Sequence, residues 1–267
     1  WPHDILLKRI KAEKKIAWIH TDYSKLEIDN KVDLNVWAKF DYIVSISDEC
    51  TKAFLSVYPS LKNKIILVEN ITSPIFIKKM ADSNQSGLDQ EIDQSTFNLL
   101  SVGRLSYVKG FDMAVKALRT LHDKGYTNIK WYVIGDGGYK AELNELIAKN
   151  NLTDSFVLLG KKTNPYPYFK LCDLYVQPSR YEGKAVVVTE AKILGKPILI
   201  TNYPTAHSQI KEGTEGIICE LSEAGLAKGI ELVFKDYDLK NNLVNNVSKQ
   251  GYDNKDELNK LYEVINI

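Results

Sequence analysis

The sequence predicts an α/β protein built on parallel β-sheets with helices on both faces. Three observations predict this class. Short apolar runs recur along the chain, segments with helical apolar spacing lie between them, and glycine or proline residues mark the joins. Such strand–helix–strand units place neighbouring strands parallel, because the intervening helix carries the chain back to the edge where the first strand began.

Composition and charge are those of an ordinary globular protein. The chain has 267 residues, of which 44% are hydrophobic and 26% charged, and a formal net charge of +1. This balance argues against a nucleic-acid-binding protein. Cys50, Cys172 and Cys219 lie far apart without metal-ligand spacing, which argues against a disulfide framework or a zinc site and favours a reducing compartment. No signal peptide or apolar run of membrane-spanning length is visible, so we expect a cytoplasmic protein.

Strands and helices alternate over the first 70 residues. We predict helices at 5–12, 33–40 and 48–58, and strands at 15–19, 42–46 and 64–68. Ser47 or Asp48 is the predicted cap of the third helix. His20 follows the first strand, at the sheet edge where ligands bind in α/β proteins. A surface or capping role and a ligand contact are both compatible with a lone histidine there.

The composition changes between residues 70 and 95. Residues 71–76 resemble an extended segment, and residues 78–94 are polar and rich in serine, glutamine and aspartate. We therefore predict a linker over residues 78–95, with a surface insertion at about 81–94, that acts as a hinge between two domains.

A glycine-bounded loop with two cations follows the next predicted strand, at residues 98–102. Arg104 and Lys109 lie in this loop, between Gly103 and Gly110, before a helix at 111–124. A planar guanidinium and an ammonium suit an anionic ligand, although exposed charges on a solvated loop are a common alternative.

Two further loops follow predicted strands and begin with glycine. The glycine-rich turn 135–138 follows a strand at 130–134, and we expect its glycines to let the backbone approach a ligand. The loop 160–168 follows a strand at 155–159 and contains Tyr166 and Tyr168, which are either packing anchors or part of a nucleobase wall.

Two glutamates flank the start of a predicted helix between two apolar strands. Glu182 lies in the loop after the strand 173–176, and Glu190 lies within the helix that Gly195 and Pro197 end before the strand 198–200. The N–H groups and dipole at the start of such a helix suit an anion. An ordinary strand–helix–strand connection without a ligand would, however, show the same glycine and proline signals. A strand at 216–219 and helices at 222–233, 238–249 and 256–265 complete the chain.

Three segments together resemble one enzyme family. PSRYEGKAVVVTEAKILGKPILIT contains two glutamates separated by seven residues, and SVGRLSYVKGFD and VIGDGG precede it in the chain. This ordered set resembles the retaining GT-B glycosyltransferases of the GT4 family. The family usually has Gly-Phe-Gly or a similar triplet after the first glutamate, whereas this chain has Gly183-Lys184-Ala185.

The resemblance implies a domain plan and a reaction. Residues 1–77 would be a remnant of the acceptor-side lobe, 96–250 the nucleotide-sugar-binding lobe and 251–267 a helix that crosses back to the first lobe. The reaction would transfer a sugar, with retention, from a nucleotide sugar to a glycan or lipid-linked acceptor in bacterial surface polysaccharide or glycolipid synthesis. A UDP-sugar is the preferred donor, a GDP-sugar the alternative, and no metal is required. A lipid-linked acceptor would place the protein at the inner face of the membrane.

The resemblance also implies roles for individual residues. Arg104 and Lys109 would bind the diphosphate, and Glu190 the ribose hydroxyls. Glu182 would bind the donor sugar, and His20 would face the sugar and the acceptor. Backbone groups would contact sugar or phosphate at Gly183, Lys184, Ala185 and Val186. Two other classes stay open: a sugar-nucleotide epimerase of the same fold, and a non-catalytic nucleotide-sugar-binding fragment or subunit. A phosphorylase of this fold would need a cofactor lysine in a much longer chain, and nothing in the sequence supports it.

Overall fold

The computed structural model describes residues 2–21, 23–26, 28–83 and 92–265. This part of the chain forms two compact units. The first consists of the described residues within Trp1–Thr72, Glu182–Lys184 and Asp253–Ile267, and the second of those within Ser73–Tyr181 and Ala185–Tyr252. Each unit has its own parallel sheet.

The described residues of the first unit form a three-stranded parallel sheet in the order β1-β2-β3. Its elements are α1 (Pro2–Arg9), β1 (Ile16–Ile19), α2 (Asn30–Trp37), β2 (Tyr42–Ser45), α3 (Asp48–Val57), β3 (Ile65–Leu67) and the C-terminal helix (Glu257–Ile265). Its core is aromatic, with Trp37, Phe54 and Tyr58 buried against one another. Asp33 accepts hydrogen bonds from Trp37 Nε1 and Tyr58 Oη, both at 2.9 Å, so the polar edges of these rings are satisfied.

Capping residues set where the first helices begin. Ser47 accepts from the N–H of Cys50 at 3.1 Å, so the predicted cap of α3 is confirmed. Helix α2 begins three residues before the predicted start of 33, at Asn30. Asp29 Oδ1 accepts from the N–H groups of Lys31 and Val32 and so satisfies the first turn earlier than the apolar spacing suggests.

The second unit is organised around a six-stranded parallel sheet, counted over its described residues, in the order β6-β5-β4-β7-β8-β9. The strands are β4 (Phe97–Val102), β5 (Ile129–Ile134), β6 (Phe156–Gly160), β7 (Leu174–Gln177), β8 (Ile198–Thr201) and β9 (Gly216–Cys219). The helices are α4 (Pro74–Ala81), α5 (Phe111–Asp123), α6 (Lys140–Lys149), α7 (Tyr166–Leu171), α8 (Val186–Ile193), α9 (Ala206–Gln209), α10 (Glu223–Lys235) and α11 (Tyr237–Lys249). The strand order reverses between β4 and β7, and such a switch point opens a crevice at the carboxyl ends of the strands.

Apolar residues on both faces of this sheet are buried. Leu99 and Trp131 belong to a core on one face, which α5 and α10 cover, whereas Leu100 and Tyr175 belong to the core on the other face. Burial on both faces explains why these strands appear in the sequence as continuous apolar runs rather than as alternating patterns. The predicted α/β fold with parallel sheets and flanking helices is confirmed.

The segment predicted as extended and as the start of the linker is a helix. Ser73 Oγ accepts from the N–H of Phe76 at 3.3 Å, and Pro74 occupies the first turn of α4. Ile77 and Ala81 are buried, and α4 packs against α7 and α8. The Ser-Pro pair therefore starts a helix. Proline suits the first turn because the N–H group that it lacks would have no partner within the helix there. Most of the predicted insertion at 81–94 lies outside the described residues.

Among the helices in the described ranges, none has both the length and the apolarity that crossing a membrane requires.

Candidate functional site

The carboxyl ends of β4, β5 and β6 meet at an open cleft of about 550 Å³ in the second unit. The cleft is lined by Val102, Gly103, Arg104, Ile134, Gly135, Asp136, Gly137, Lys161, Lys162 and Pro165. Among these lining residues, Arg104, Lys161 and Lys162 are cationic and Asp136 is the carboxylate. A cleft of this size with an excess of positive charge suits a small anionic ligand.

The loop after β4 carries both predicted cations, and Arg104 is the one of the two that lines this cleft. Arg104 lines it with an exposed side chain. Lys109 lies farther along the loop and is half-buried. Its aliphatic stem passes over Gly103, so that a Cβ atom at position 103 would lie 3.6 Å from Lys109 Cδ. The ammonium group of Lys109 is therefore carried on a stem that packs against the cleft wall.

The turn after β5 packs tightly on the loop after β4. Gly135 has a φ of +152°, and a Cβ atom there would lie 1.9 Å from the carbonyl oxygen of Gly103. The glycine-rich turn was expected to let the backbone approach a ligand. The structure shows that Gly135 allows two loops of the cleft to approach each other.

Replacing Gly135 with alanine is expected to destabilise the second unit by about 2 kcal/mol, because the new methyl group cannot share space with the Gly103 carbonyl and the backbone angle is strained. Urea unfolding would measure the change. Gly138→Ala is the matched control, since a Cβ atom there has no neighbour within 4 Å. Equal stability of the two variants would contradict this role of Gly135.

Glu190 is held by a tyrosine from the first turn of α7. The Tyr166 hydroxyl donates to Glu190 Oε1 at 2.9 Å, and Pro165, the preceding residue, lines the cleft. Burial raises the pKa of Glu190, and the hydrogen bond from Tyr166 partly offsets this rise. Burial, together with the nearby carboxylate, raises the pKa of Tyr166 to about 12, so this tyrosine stays a donor at neutral pH.

The segment 160–168 was predicted to be a loop, but its two tyrosines lie in α7, and they differ in environment. Tyr168 is buried in the core beneath the sheet, which agrees with a packing anchor. Tyr166 is half-buried and orients Glu190, a role that the sequence interpretation did not include. Lys161 and Lys162 were also missed as cleft residues. Their position directly after Gly160, at a strand end, was the signal that could have identified them.

Helix α8 begins at Val186, and Ala185 is its N-cap residue. The N–H of Ala185 donates to Gln209 Oε1 at 3.0 Å, and this bond is buried. Ala185 was predicted to offer its backbone to a ligand, but its N–H is already used within the protein. Within the described residues, no side chain caps this helix, so the first-turn N–H of Val186 stays a predicted ligand contact.

The remaining predicted site residues belong to the first unit. His20 follows β1 and is exposed, whereas Glu182 is buried. The backbone of Gly183 passes the carbonyl group of His20, since a Cβ atom at 183 would lie 2.9 Å from that oxygen. Lys184 Nζ forms an ion pair with Glu69 Oε2 at 2.6 Å, which leaves its backbone as the predicted ligand contact. The structure thus brings His20 beside the segment that carries Glu182.

Comparison with known proteins identifies the family. Residues 88–250 match the family described as Glycosyl transferases group 1. A Methanocaldococcus jannaschii protein named as an uncharacterized glycosyltransferase is 31% identical over 170 residues, which cover 64% of this chain and 42% of that protein. The Erwinia amylovora amylovoran biosynthesis glycosyltransferase AmsD is 30% identical over 159 residues, which cover 60% of this chain and 43% of AmsD. The match thus spans less than half of either relative's length.

A solved structure shows the same fold. The crystal structure of Anabaena Alr3699/HepE in complex with UDP-glucose matches with a TM-score of 0.82 at 18% sequence identity, over 94% of this chain and 71% of HepE. At this identity the likeness shows the fold, which is that of the GT-B glycosyltransferases. Because the family match covers more than half of its residues, this chain belongs to the glycosyl transferases group 1 family.

Proposed function

We propose that this chain provides the nucleotide-sugar-binding part of a retaining glycosyltransferase. The donor is a nucleoside diphosphate sugar, with a UDP-sugar preferred over a GDP-sugar. The acceptor is a glycan or a lipid-linked sugar in bacterial surface polysaccharide or glycolipid synthesis. HepE, whose fold is shared, binds UDP-glucose, and AmsD is named for amylovoran biosynthesis. A lipid-linked acceptor would bring the protein to the inner face of the cell membrane.

One observation carries the proposal. Pro165 lines a cleft that has cationic walls, and the next residue, Tyr166, holds the carboxylate of Glu190 by a hydrogen bond. A nucleotide sugar presents the same sequence of groups, with two phosphates next to a ribose that has two hydroxyls. Arg104 and Lys109 would bind the diphosphate, and Glu190 would accept hydrogen bonds from the ribose.

The same groups would assist bond cleavage. When the bond between the sugar and the diphosphate breaks, negative charge grows on the leaving phosphate. Arg104, Lys109 and the N-terminus of α8 would stabilise that charge by their own positive charge and by the helix N–H groups. The acceptor hydroxyl would attack from the face that the phosphate leaves, which retains the anomeric configuration.

For the first unit, the proposal keeps the roles that the family resemblance implies. Glu182 would accept hydrogen bonds from hydroxyl groups of the donor sugar. His20 would donate a hydrogen bond to a hydroxyl group of the donor sugar or help to orient the acceptor. Gly183 and Lys184 would contribute backbone groups.

Calorimetric titration with UDP-, GDP-, ADP- and dTDP-sugars tests the proposal. We expect one of these donors to bind, and the matching nucleoside to bind much more weakly because it lacks the diphosphate. Binding without turnover in the presence of acceptors would favour a non-catalytic subunit, and conversion of the donor to a different nucleotide sugar would favour an epimerase. If none of the four donors binds, the proposal is wrong.

UDP binding is expected to weaken as the pH falls. The midpoint of this loss should lie at a higher pH than the usual pKa of a glutamate side chain. Burial raises the pKa of Glu190, so its carboxylate becomes protonated at a higher pH than that of an exposed glutamate. A protonated carboxyl group is a poor acceptor of hydrogen bonds from the ribose hydroxyls. The Tyr166 hydrogen bond lowers the pKa of Glu190. Tyr166→Phe should therefore move the midpoint of the loss to higher pH.

A series of calorimetric titrations between pH 4 and pH 8 would measure both midpoints. Tyr126→Phe is the matched control, because the Tyr126 hydroxyl likewise donates to a glutamate, Glu231, at 3.0 Å, and Tyr126 is absent from the cleft lining. It should leave the midpoint unchanged. An unchanged midpoint in Tyr166→Phe would contradict the assignment of this pH dependence to Glu190.

A further inference from the structure

We infer that Arg180 and Asp112 are positioning residues for nucleotide binding. Their ion pair fixes the loop of residues 103–110, which carries Arg104 and Lys109, and thereby sets the affinity for the diphosphate. This inference rests on the proposed function. It concerns an arginine that lies beside the glutamate-containing motif and that the proposed chemistry leaves without a role.

The ion pair is bidentate and partly buried. Arg180 Nη1 donates to Asp112 Oδ1 at 2.7 Å, and Nη2 donates to Oδ2 at 2.6 Å. The side chains are only 21% and 16% exposed, respectively. Two parallel bonds at this distance specify one orientation of the guanidinium group, which a single exposed ion pair does not do.

Arg180 also holds the loop backbone directly. Its Nη1 donates to the carbonyl oxygen of Tyr107 at 2.6 Å, and its backbone N–H donates to the carbonyl oxygen of Val108 at 2.8 Å. The guanidinium carbon lies 3.8 Å from the centre of the Tyr107 ring, which is stacking distance. One residue from the loop after β7 therefore contacts Tyr107, Val108 and the first turn of α5.

The glycine at the end of the loop supports the same arrangement. Gly110 has a φ of +67°, and a Cβ atom there would lie 2.0 Å from the carbonyl oxygen of Pro178. The loop after β4 therefore packs against the loop after β7 at two places, at Gly110 and at Tyr107–Val108. Lys109 lies between these contacts, so its position depends on both.

The pair is suited to positioning rather than to binding phosphate itself. The charge of Arg180 is neutralised by Asp112, and two of its nitrogens already donate to oxygens of the protein. A phosphate would have to displace the carboxylate to reach it. Loss of Arg180 would release the loop and leave the negative charge of Asp112 unpaired, two residues after Gly110 at the end of the loop, which would disfavour a diphosphate.

Titrations of the 267-residue chain with UDP and with uridine test the inference. Arg180→Met keeps the aliphatic stem but removes the charged fork, and we expect UDP affinity to fall about tenfold while uridine affinity changes by less than about twofold. Arg180→Lys should lose less, because a lysine can replace one of the two bonds. Asp112→Asn should lose UDP affinity as Arg180→Met does, and the double variant should lose no more than either single variant.

Arg119→Met is the matched control. Arg119 forms an ion pair with Asp123 at 2.5 Å on the same helix, α5, but at its far end. This change should leave the affinities for UDP and uridine unchanged. Thermal unfolding of each variant would establish that it is folded. If Arg180→Met does not fold, Arg180→Lys and Asp112→Asn, which change the packing less, carry the test.

Two results would overturn the inference. One is wild-type UDP affinity in a folded Arg180→Met or Asp112→Asn variant. The other is an equal loss of UDP and uridine affinity, which indicates a general structural role. Failure of the proposed function looks different: wild-type protein would then bind none of the nucleotides, or Arg104→Ala would bind UDP as well as the wild type.

Discussion

Arg104→Ala is expected to weaken UDP binding by about 1.5–3 kcal/mol, the usual range for hydrogen bonds to charged groups. Arg104 is the exposed guanidinium in the cleft wall at the end of β4. Its planar fork matches two phosphate oxygens, whereas an alanine leaves the diphosphate with lysine charges alone. Uridine binding should be almost unchanged, since uridine has no phosphate. Calorimetry with both ligands measures the two losses.

The control for this prediction is Arg119→Ala, which removes an arginine from the same unit without touching the cleft. It should bind UDP as the wild type does. If Arg104→Ala loses UDP and uridine affinity equally, Arg104 does not contact the diphosphate. If it loses neither, the cationic cleft is not the phosphate site.

Glu190→Ala is expected to cost a similar amount, about 1.5–3 kcal/mol, but for UDP and uridine alike. Both ligands contain the ribose, and the carboxylate would accept hydrogen bonds from its hydroxyl groups. The alanine variant also leaves the Tyr166 hydroxyl without its acceptor, which adds to the loss. Glu190→Gln keeps the shape and one acceptor oxygen, so its loss should be intermediate.

Glu223→Gln is the control for Glu190, because Glu223 lies on α10 and pairs with Lys116 at 3.2 Å. It should bind both ligands normally. A loss confined to UDP in Glu190→Ala would indicate that this residue acts on the phosphates and not on the ribose. The contrast between the Arg104 and Glu190 variants thus separates the two halves of the nucleotide.

The fold could be predicted because its signals are local. The strand β4 was expected at 98–102 and spans Phe97–Val102, and Ser47 caps α3 as predicted. Burial on both faces gives each strand a continuous apolar run, and glycine or proline ends it. The helix α4 was missed because its Ser73-Pro74 start was interpreted as part of an extended segment.

The site could be predicted only in part, because its partners come from separate loops. Arg104 was found from its position at the end of a strand, which is a local feature. Tyr166 and Glu190 are 24 residues apart, and Arg180 and Asp112 are 68 residues apart. No spacing rule joins such pairs, since the strand order of the sheet decides which loops meet. The link between Gln209 and the N–H of Ala185 was unforeseen for the same reason.

A crystal structure of the chain with UDP tests the central claim most directly. The account predicts phosphate oxygens within hydrogen-bond distance of the Arg104 guanidinium group and ribose hydroxyls within hydrogen-bond distance of the Glu190 carboxylate. UDP bound away from the carboxyl ends of β4 to β6, or bound there with Arg104 turned into solvent and Glu190 remote from the ribose, would contradict it.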